Sequence, residues 1–485
     1  MKRSVYYNPI INKDMSDPDV IKYKDGYLLI TSSFSFLPGI PLYYSLDLVN
    51  WKFVRYIVKK LPFKKYNRVH FGHGIWAPSI RVHNDIVYVV FPTPDEGIFV
   101  TYSKNPFSSW SKVHHLKSIS GYEDPCPIWY KNKTYVVHAY VKSRIGFNSK
   151  LAIFETDEKL ENVLSESKIV YDGSKDNPTI EGPKFNIIND ELFILAPAGG
   201  VEEGYQLALK GEDIYGPYVA KRILQSYPTL INGPHQGSLV EYEKDKYVFF
   251  HFQDKGALGR VLHLQPVKIE NGFPFVGDKI KDYDIGGPTL THPYYLKKHV
   301  FKKNNTYFID NKFPDTFTYA CNKIRSSYFI KDDIFNLNCL YEKDDILLTR
   351  NAIYKDIIGP SFIFKTKIKT NFINNEEEGG LIILGKTSYV IKIINNELSV
   401  LKIDLDSLNE EIIYRDNSNK KVYNITLSVN DLNCTIYVNN QKINNPFILT
   451  KGKWVGSKIG FYARANKKNQ NKGSLKIYKT IIKKK

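Results

Sequence analysis

Three short motifs set a carboxylate within two residues of a proline: Asp17 in SDPDV, Asp124 in EDP and Glu181 in EGP. Singly, an acid next to proline is a turn cap. These three also share a phase. Each stands eight residues before a two-residue turn signal, respectively Asp25-Gly26, Asn132-Lys133 and Asn189-Asp190. Trp76 stands eight before Asn84-Asp85, and His235 nine before Lys244-Asp245. Carboxylates brought to one place resist ionising together, so their proton affinities separate. A protonated acid and an ionised base on either side of a sugar are what glycosidic cleavage needs.

The elements that would gather them are hairpins. DVIKYK and YLLITSS flank the first turn, SIRVH and IVYVVF the second, PIWYK and TYVVHAY the third, PKFNII and ELFILA the fourth, SLVEYE and KYVFFHF the fifth. Short Val-, Ile-, Tyr- and Phe-rich runs separated by two-residue turns are strand pairs. The five anchors are 59, 48, 57 and 54 residues apart. A sheet of about 50 residues repeated five times is the arithmetic of a five-bladed β-propeller. If the first strand of each blade is innermost, the five anchors converge at one mouth of the axis. The expected fold is all-β: a propeller over 1–295, a polar linker over 296–312, and a β-sandwich over 313–485 built from runs such as SFIFKTKIKT, GGLIILG and KIGFYA.

Composition narrows the function classes. The 485 residues are 42% hydrophobic and 24% charged, which excludes a disordered chain. No apolar run reaches the roughly 18 residues of a membrane span. Cys126, Cys321, Cys339 and Cys434 are scattered, with no CxxC, which excludes a disulfide scaffold and a zinc ribbon. The start, MKRSVYYNPI, lacks an apolar signal region, so a cytoplasmic protein is expected, or a secreted one if this start is incomplete. Net charge is +18, yet only 11 of the 68 basic residues are Arg and the lysines are scattered. Phosphate recognition favours clustered Arg forks, so neither nucleic acid nor membrane is an expected partner.

In order along the chain, SDPDVIKYKDGY, SSFSFLPGIPLYYSLDLVNW, GIWAPSIRVH, YEDPCPIWY, TIEGPKF and GPHQGSLV resemble glycoside hydrolase family 43. HFQDKGALGRVLHLQPV resembles its β-xylosidase and α-L-arabinofuranosidase branch, and EEEGGLIILGKTSYVIKI is similar to the concanavalin-like sandwich that follows many of its propellers. The resemblance implies an inverting exo-glycosidase that removes terminal pentose from short plant-cell-wall oligosaccharides. It implies Asp17 as general base, Glu181 as general acid, and Asp124 as the residue that orients the acid and raises its pKa. Phe34 and Trp76 would wall the sugar pocket, Arg260 would contact the ring, and axial His235 would contact sugar, a structural Ca2+ or water. No cofactor is required, and a homo-oligomer is compatible.

Other readings stand beside these. Trp76 also fits inter-blade core, His235 a hydrogen-bonded core histidine, Arg260 a structural ion pair, and Phe36 either core or pocket. His73 has no assigned role, and Glu376–Glu378 read as a solvated loop. An endo-arabinanase of the same family and a non-catalytic propeller that binds sugar are the alternatives for the whole chain. The WMNDPNG and Glu-Cys motifs of retaining fructosidases are absent.

Overall fold

A computed structural model describes residues 4–226, 229–281, 283–302, 305–308, 312–416, 419–468 and 472–485. It contains five four-stranded antiparallel units in sequence. Blade I is Asp19–Tyr23, Gly26–Ile30, Gly39–Ser45 and Lys52–Val58; blade II is Ser79–His83, Ile86–Thr93, Gly97–Ser103 and His114–Ser118. Blade III is Tyr122–Tyr130, Lys133–Tyr140, Lys150–Thr156 and Lys168–Asp172, and blade IV is Lys184–Ile188, Glu191–Ala198, Tyr205–Gly211 and Tyr218–Gln225. Blade V is His235–Glu243, Lys246–Asp254, Arg260–Glu270 and Phe273–Val276. Short strands Asp278–Lys279 and Gly286–Gly287 extend blade IV.

Strand alternation explains how the blades close into a ring. Successive side chains leave opposite faces. In blade II, Val87, Val89 and Phe91 therefore pack against blade I, while Tyr88 and Val90 pack against blade III. Blades III and IV share a third apolar cluster, IV and V a fourth, and V and I a fifth that also takes Tyr6 and Met15 from the N-terminal segment. The first strand of blade I touches those of blades II and V. The Val20 N–H donates to Ser238 Oγ at 2.9 Å across that last junction.

All five hairpins occur where the turn signals put them, with two turns one residue earlier. The ladders pair Tyr23 with Gly26 and Tyr130 with Lys133, so Lys24-Asp25 and Lys131-Asn132 make the turns. Gly26 serves the sheet instead: a Cβ there would lie 2.5 Å from Tyr44 Oη and 2.6 Å from the Ser45 carbonyl. The nine-residue offset of His235 has a cause as well. Blade V carries ladder shifts between His235 and Gly237 and between Glu241 and Glu243, against one in the first strand of blade III.

The C-terminal region is a β-sandwich of a ten-stranded and an eight-stranded sheet, which supply the chain's largest apolar core. Within 296–312, the His299 N–H donates to Asp47 at 2.8 Å, and Thr306–Tyr307 pair with Thr480–Lys484 of the larger sheet. Residues 303–304 and 309–311 of that segment lie outside the described residues. The expectation of a solvated loop at Glu376–Glu378 fails for two of the three. Glu377 and Glu378 are fully buried. Glu377 accepts from the Gly473 N–H at 2.7 Å, and Glu378 pairs with Arg464 at 2.6 Å and Lys392 at 3.0 Å. Distant partners satisfy these charges, and an acidic run does not reveal them.

The sandwich packs on the mouth side of the propeller. Phe34, Phe36 and Val69 share a cluster with Ala320, Cys321, Tyr354 and Val455. Phe36 is thus interface core, edge-on to Tyr354 with centroids 5.8 Å apart. Among the described residues no helix is long and apolar enough to cross a membrane.

Candidate active site

Asp17, Trp76 and Glu181 lie in the segments that lead into the first strands of blades I, II and IV, Asp124 at a bulge within that of blade III, and His235 at the start of that of blade V. Asp17 and Asp124 adopt positive φ, 54° and 55°. Non-glycine residues rarely take that conformation, and it concentrates at functional sites.

Asp17 is 4% exposed. One of its oxygens accepts from Ser32 Oγ, and the other accepts from Arg260 Nη1 at 2.8 Å. Asp124 is 2% exposed, and its Oδ2 accepts from the Gly182 N–H at 2.7 Å and from Gln236 Nε2 at 2.9 Å. Gly182 has φ +57°, and a Cβ there would fall 2.5 Å from Gln236, so glycine lets the backbone donor reach Asp124. Glu181 keeps 32% of its side chain exposed, and its Oε1 lies 3.5 Å from His235 Nε2.

Burial and the charge of Asp124 push the Glu181 carboxyl up to about 8, with Asp17 adding to the shift and Arg260 opposing it. Burial and Asp17 push Asp124 up also, against the donors from Gly182 and Gln236. Glu123, a residue no motif pointed to, joins this group. Carboxyl oxygens of Glu123, Asp124 and Glu181 all lie within 4.8 Å of one another. Burial and all three of Asp124, Glu181 and Asp17 raise Glu123 well above the usual carboxylic range. The arrangement can hold protons and release them.

His235 is fully buried, and neither ring nitrogen has a hydrogen-bond partner among the described residues. Burial, then Arg260, pull its pKa down to about 3, so the ring is neutral. Arg260 lies over the Phe252 ring at 4.7 Å and the Phe34 ring at 5.8 Å while pairing with Asp17. Phe34 is 4% exposed, so its ring backs the mouth instead of standing free in it. Trp76 is half-buried, edge-on to Phe34 at 6.3 Å, with its indole N–H donating to the Gly72 carbonyl at 3.0 Å.

A sandwich that closes one end of the groove is compatible with the sequence, but no motif pointed to the residue it contributes. Trp454 lies 6.4 Å from Trp76 between ring centroids and is 51% exposed. Its loop is anchored behind it: the Gly456 N–H donates to Asp14 at 3.1 Å and the Ser457 N–H to the Ala257 carbonyl at 2.7 Å. A cleft of about 650 Å3 opens between the two domains, lined by Arg260, Gly200 and Glu202 on one side and Lys386, Leu405 and Trp454 on the other. On the other flank Arg144 lies over Trp76 at 5.7 Å and donates to Asp95 at 2.9 Å; the same carboxylate takes His73 and Lys65 at 2.8 Å each. His73 thus helps hold that wall.

Comparisons with known proteins bear on both domains. The chain is 35% identical to a putative β-xylosidase of Xylanibacter ruminicola over 287 residues, 59% of this chain and 53% of that protein. It is 24% identical to a xylosidase/arabinosidase of Butyrivibrio fibrisolvens, with 96% of each covered. The chain spans about half the length of the first two curated relatives it matches. A crystal structure of xylan β-1,4-xylosidase from Bacillus halodurans superposes with a TM-score of 0.85 over 99% of this chain and all of that one, at 17% identity, which speaks for the fold. Residues 6–274 match the profile of "Glycosyl hydrolases family 43", and with the five blades and the acidic mouth in place, the chain belongs to that family.

Proposed function

We propose that the protein is an inverting exo-glycosidase that removes terminal pentose, β-D-xylose or α-L-arabinofuranose, from short plant-cell-wall oligosaccharides. One observation carries the reading: carboxylates of opposite character meet at one mouth. Asp17 sits among donors from Ser32 and Arg260, as a base does, and Glu181 sits where burial and Asp124 keep it protonated.

In this reading Glu181 gives its proton to the oxygen of the departing sugar. Asp17 takes a proton from the water that attacks the anomeric carbon from the other face. Asp124, held by Gly182 and Gln236, keeps the Glu181 proton in place by its charge. Arg260 orients Asp17 and faces the ring, and Trp76, backed by Phe34, forms the apolar side on which a pentose face rests. General acid and general base contribute on the order of 10^2 to 10^4-fold each. Trp454, reaching over from the sandwich, narrows the approach and favours a chain end over an internal bond. The printed names of the relatives, β-xylosidase and xylosidase/arabinosidase, support pentose as the sugar.

His235 offers the axis a neutral imidazole with no hydrogen-bond partner on either nitrogen among the described residues. This suits a water, or a Ca2+ whose other ligands are mostly water, since calcium takes six to eight oxygens and an imidazole supplies none. An ion there would add positive charge near the mouth and no reacting group.

The test is hydrolysis of nitrophenyl β-D-xyloside, nitrophenyl α-L-arabinofuranoside, xylobiose and arabino-oligosaccharides, with the first-formed anomer followed by proton NMR. The expected result is monosaccharide of inverted configuration. Products released only by internal cleavage, or binding with no hydrolysis, would overturn the reading.

A further inference from the structure

Glu123 comes just before Asp124, and in a regular strand their side chains would leave on opposite faces. The ladder shifts between Glu123 and Cys126, with Asp124 at φ +55°, and the alternation is broken there. Both carboxyls therefore reach the same mouth, within 4.8 Å of Glu181. Glu123 is 6% exposed, and among the described residues nothing donates a hydrogen bond to its carboxyl. The other buried acids differ. Asp19 takes the Ile80 N–H and Arg81, Asp47 takes the Val49 and Asn50 N–H groups, and Glu378 takes Arg464. Arg144, the cation nearest in influence, is tied to Asp95. The Glu123 oxygens are not fully enclosed; they open on the mouth, where a ligand can supply the bond that the protein does not.

We propose that Glu123 is a substrate-binding residue, hydrogen-bonded to a hydroxyl of the sugar held between Asp17 and Glu181. The inference rests on the glycosidase reading above and adds a residue to it. The form of the bond follows from the neighbours. Three carboxyls this close cannot all carry charge. Asp124 has two donors that favour its charged form, and Glu181 must hold the proton that the reaction uses. Glu123, without a donor, stays neutral and donates its own O–H to the sugar oxygen.

The experiment compares wild type, Glu123→Ala and Glu123→Gln on the two nitrophenyl glycosides, with calorimetric binding of free D-xylose and L-arabinose. In Glu123→Ala, KM on the better substrate and the Kd of the matching free pentose are expected to rise about tenfold, the size of one lost buried hydrogen bond. The fall in kcat should stay under threefold. Glu123→Gln is uncharged and keeps an N–H donor, so it should recover most of the lost affinity. Should Glu123→Ala not fold, Glu123→Met, closer in volume, takes its place. KM and Kd within twofold of wild type in the truncated variant overturn the proposal. A glutamine variant as weak as alanine overturns the neutral donor. A wild type that neither hydrolyses nor binds either pentose is a different failure, that of the glycosidase reading itself.

Discussion

Asp17 and Asp19 are two residues apart in SDPDV and serve opposite ends of one design. Asp19, at the head of the inner strand of blade I, is fully buried and neutralised. It accepts from the Ile80 N–H at 2.8 Å and Arg81 at 2.7 Å, with Lys184 at 3.9 Å. Arg81 goes on to Cys126 Sγ at 3.0 Å and Lys184 to Ser79 Oγ at 2.6 Å, so this plug ties blades I to IV together. At the mouth Glu123, Asp124 and Glu181 crowd together with Asp17 close by, and among the described residues the one Arg or Lys ion pair there is Arg260 with Asp17. The plug balances its charge and holds structure. The mouth leaves an excess of acid, which costs stability and keeps protons available for chemistry.

That contrast can be broken most directly at the mouth. Asp17→Asn and Glu181→Gln should each cut kcat/KM by about 10^2- to 10^4-fold, by loss of base or acid. The melting temperature of Glu181→Gln should equal or exceed that of wild type, because it removes a crowded acid, whereas Asp17→Asn also takes the ion pair from the buried Arg260 and should lower it. The Glu181 carboxyl stands near 8, so wild-type activity should fall as pH rises through about 8 and the acid loses its proton. Asp124→Asn removes the charge that holds the proton, and should bring this fall to lower pH. A loss of fold in Glu181→Gln, or activity rising steadily past pH 9, would put the acid elsewhere.

Asp19→Ala asks the reverse. It strands Arg81 and Lys184 as buried cations, a change that costs about 3–5 kcal/mol when one partner of a buried pair is removed. Urea unfolding should show a clearly lower midpoint at unchanged slope. The residual folded enzyme should keep most of its kcat. A stable Asp19→Ala protein with crippled turnover would make Asp19 part of the mouth and dissolve the distinction.

How much of this could be read in advance follows the same line. The repeat was legible because each blade uses the same local grammar: an anchor, a strand, a two-residue turn and a second strand. Asp17, Asp124 and Glu181 stood out by sharing one phase. Glu123 did not, because alternation sends it away from Asp124, and the bulge that turns it back has no marker beyond the proline. Asp19 looked like a strand residue, since its partners come from blades II and IV. Glu377 and Glu378 looked solvated for the same reason. Trp454, in KGKWVG, belongs to no motif. What makes it part of the pocket is a contact between domains, set by the anchoring of Gly456 and Ser457 to the propeller.

Trp454 gives the finest cut between the two kinds of region. It belongs to the sandwich but faces the mouth, half-exposed and edge-on to Trp76 at 6.4 Å. An aromatic pair of this type adds about 0.5–1.5 kcal/mol beyond its area. A half-exposed ring spends little of that on stability, so Trp454→Ala should leave the melting temperature within about 2 °C of wild type. The effect should appear in binding. KM for xylobiose or an arabino-oligosaccharide should rise roughly two- to tenfold, the same energy expressed as affinity. KM for a substrate with a short leaving group should move less, because the ring stands at the rim and not over Asp17. A lower melting temperature with unchanged KM would assign Trp454 to the interface core beside Val455 and leave the propeller alone to shape the pocket.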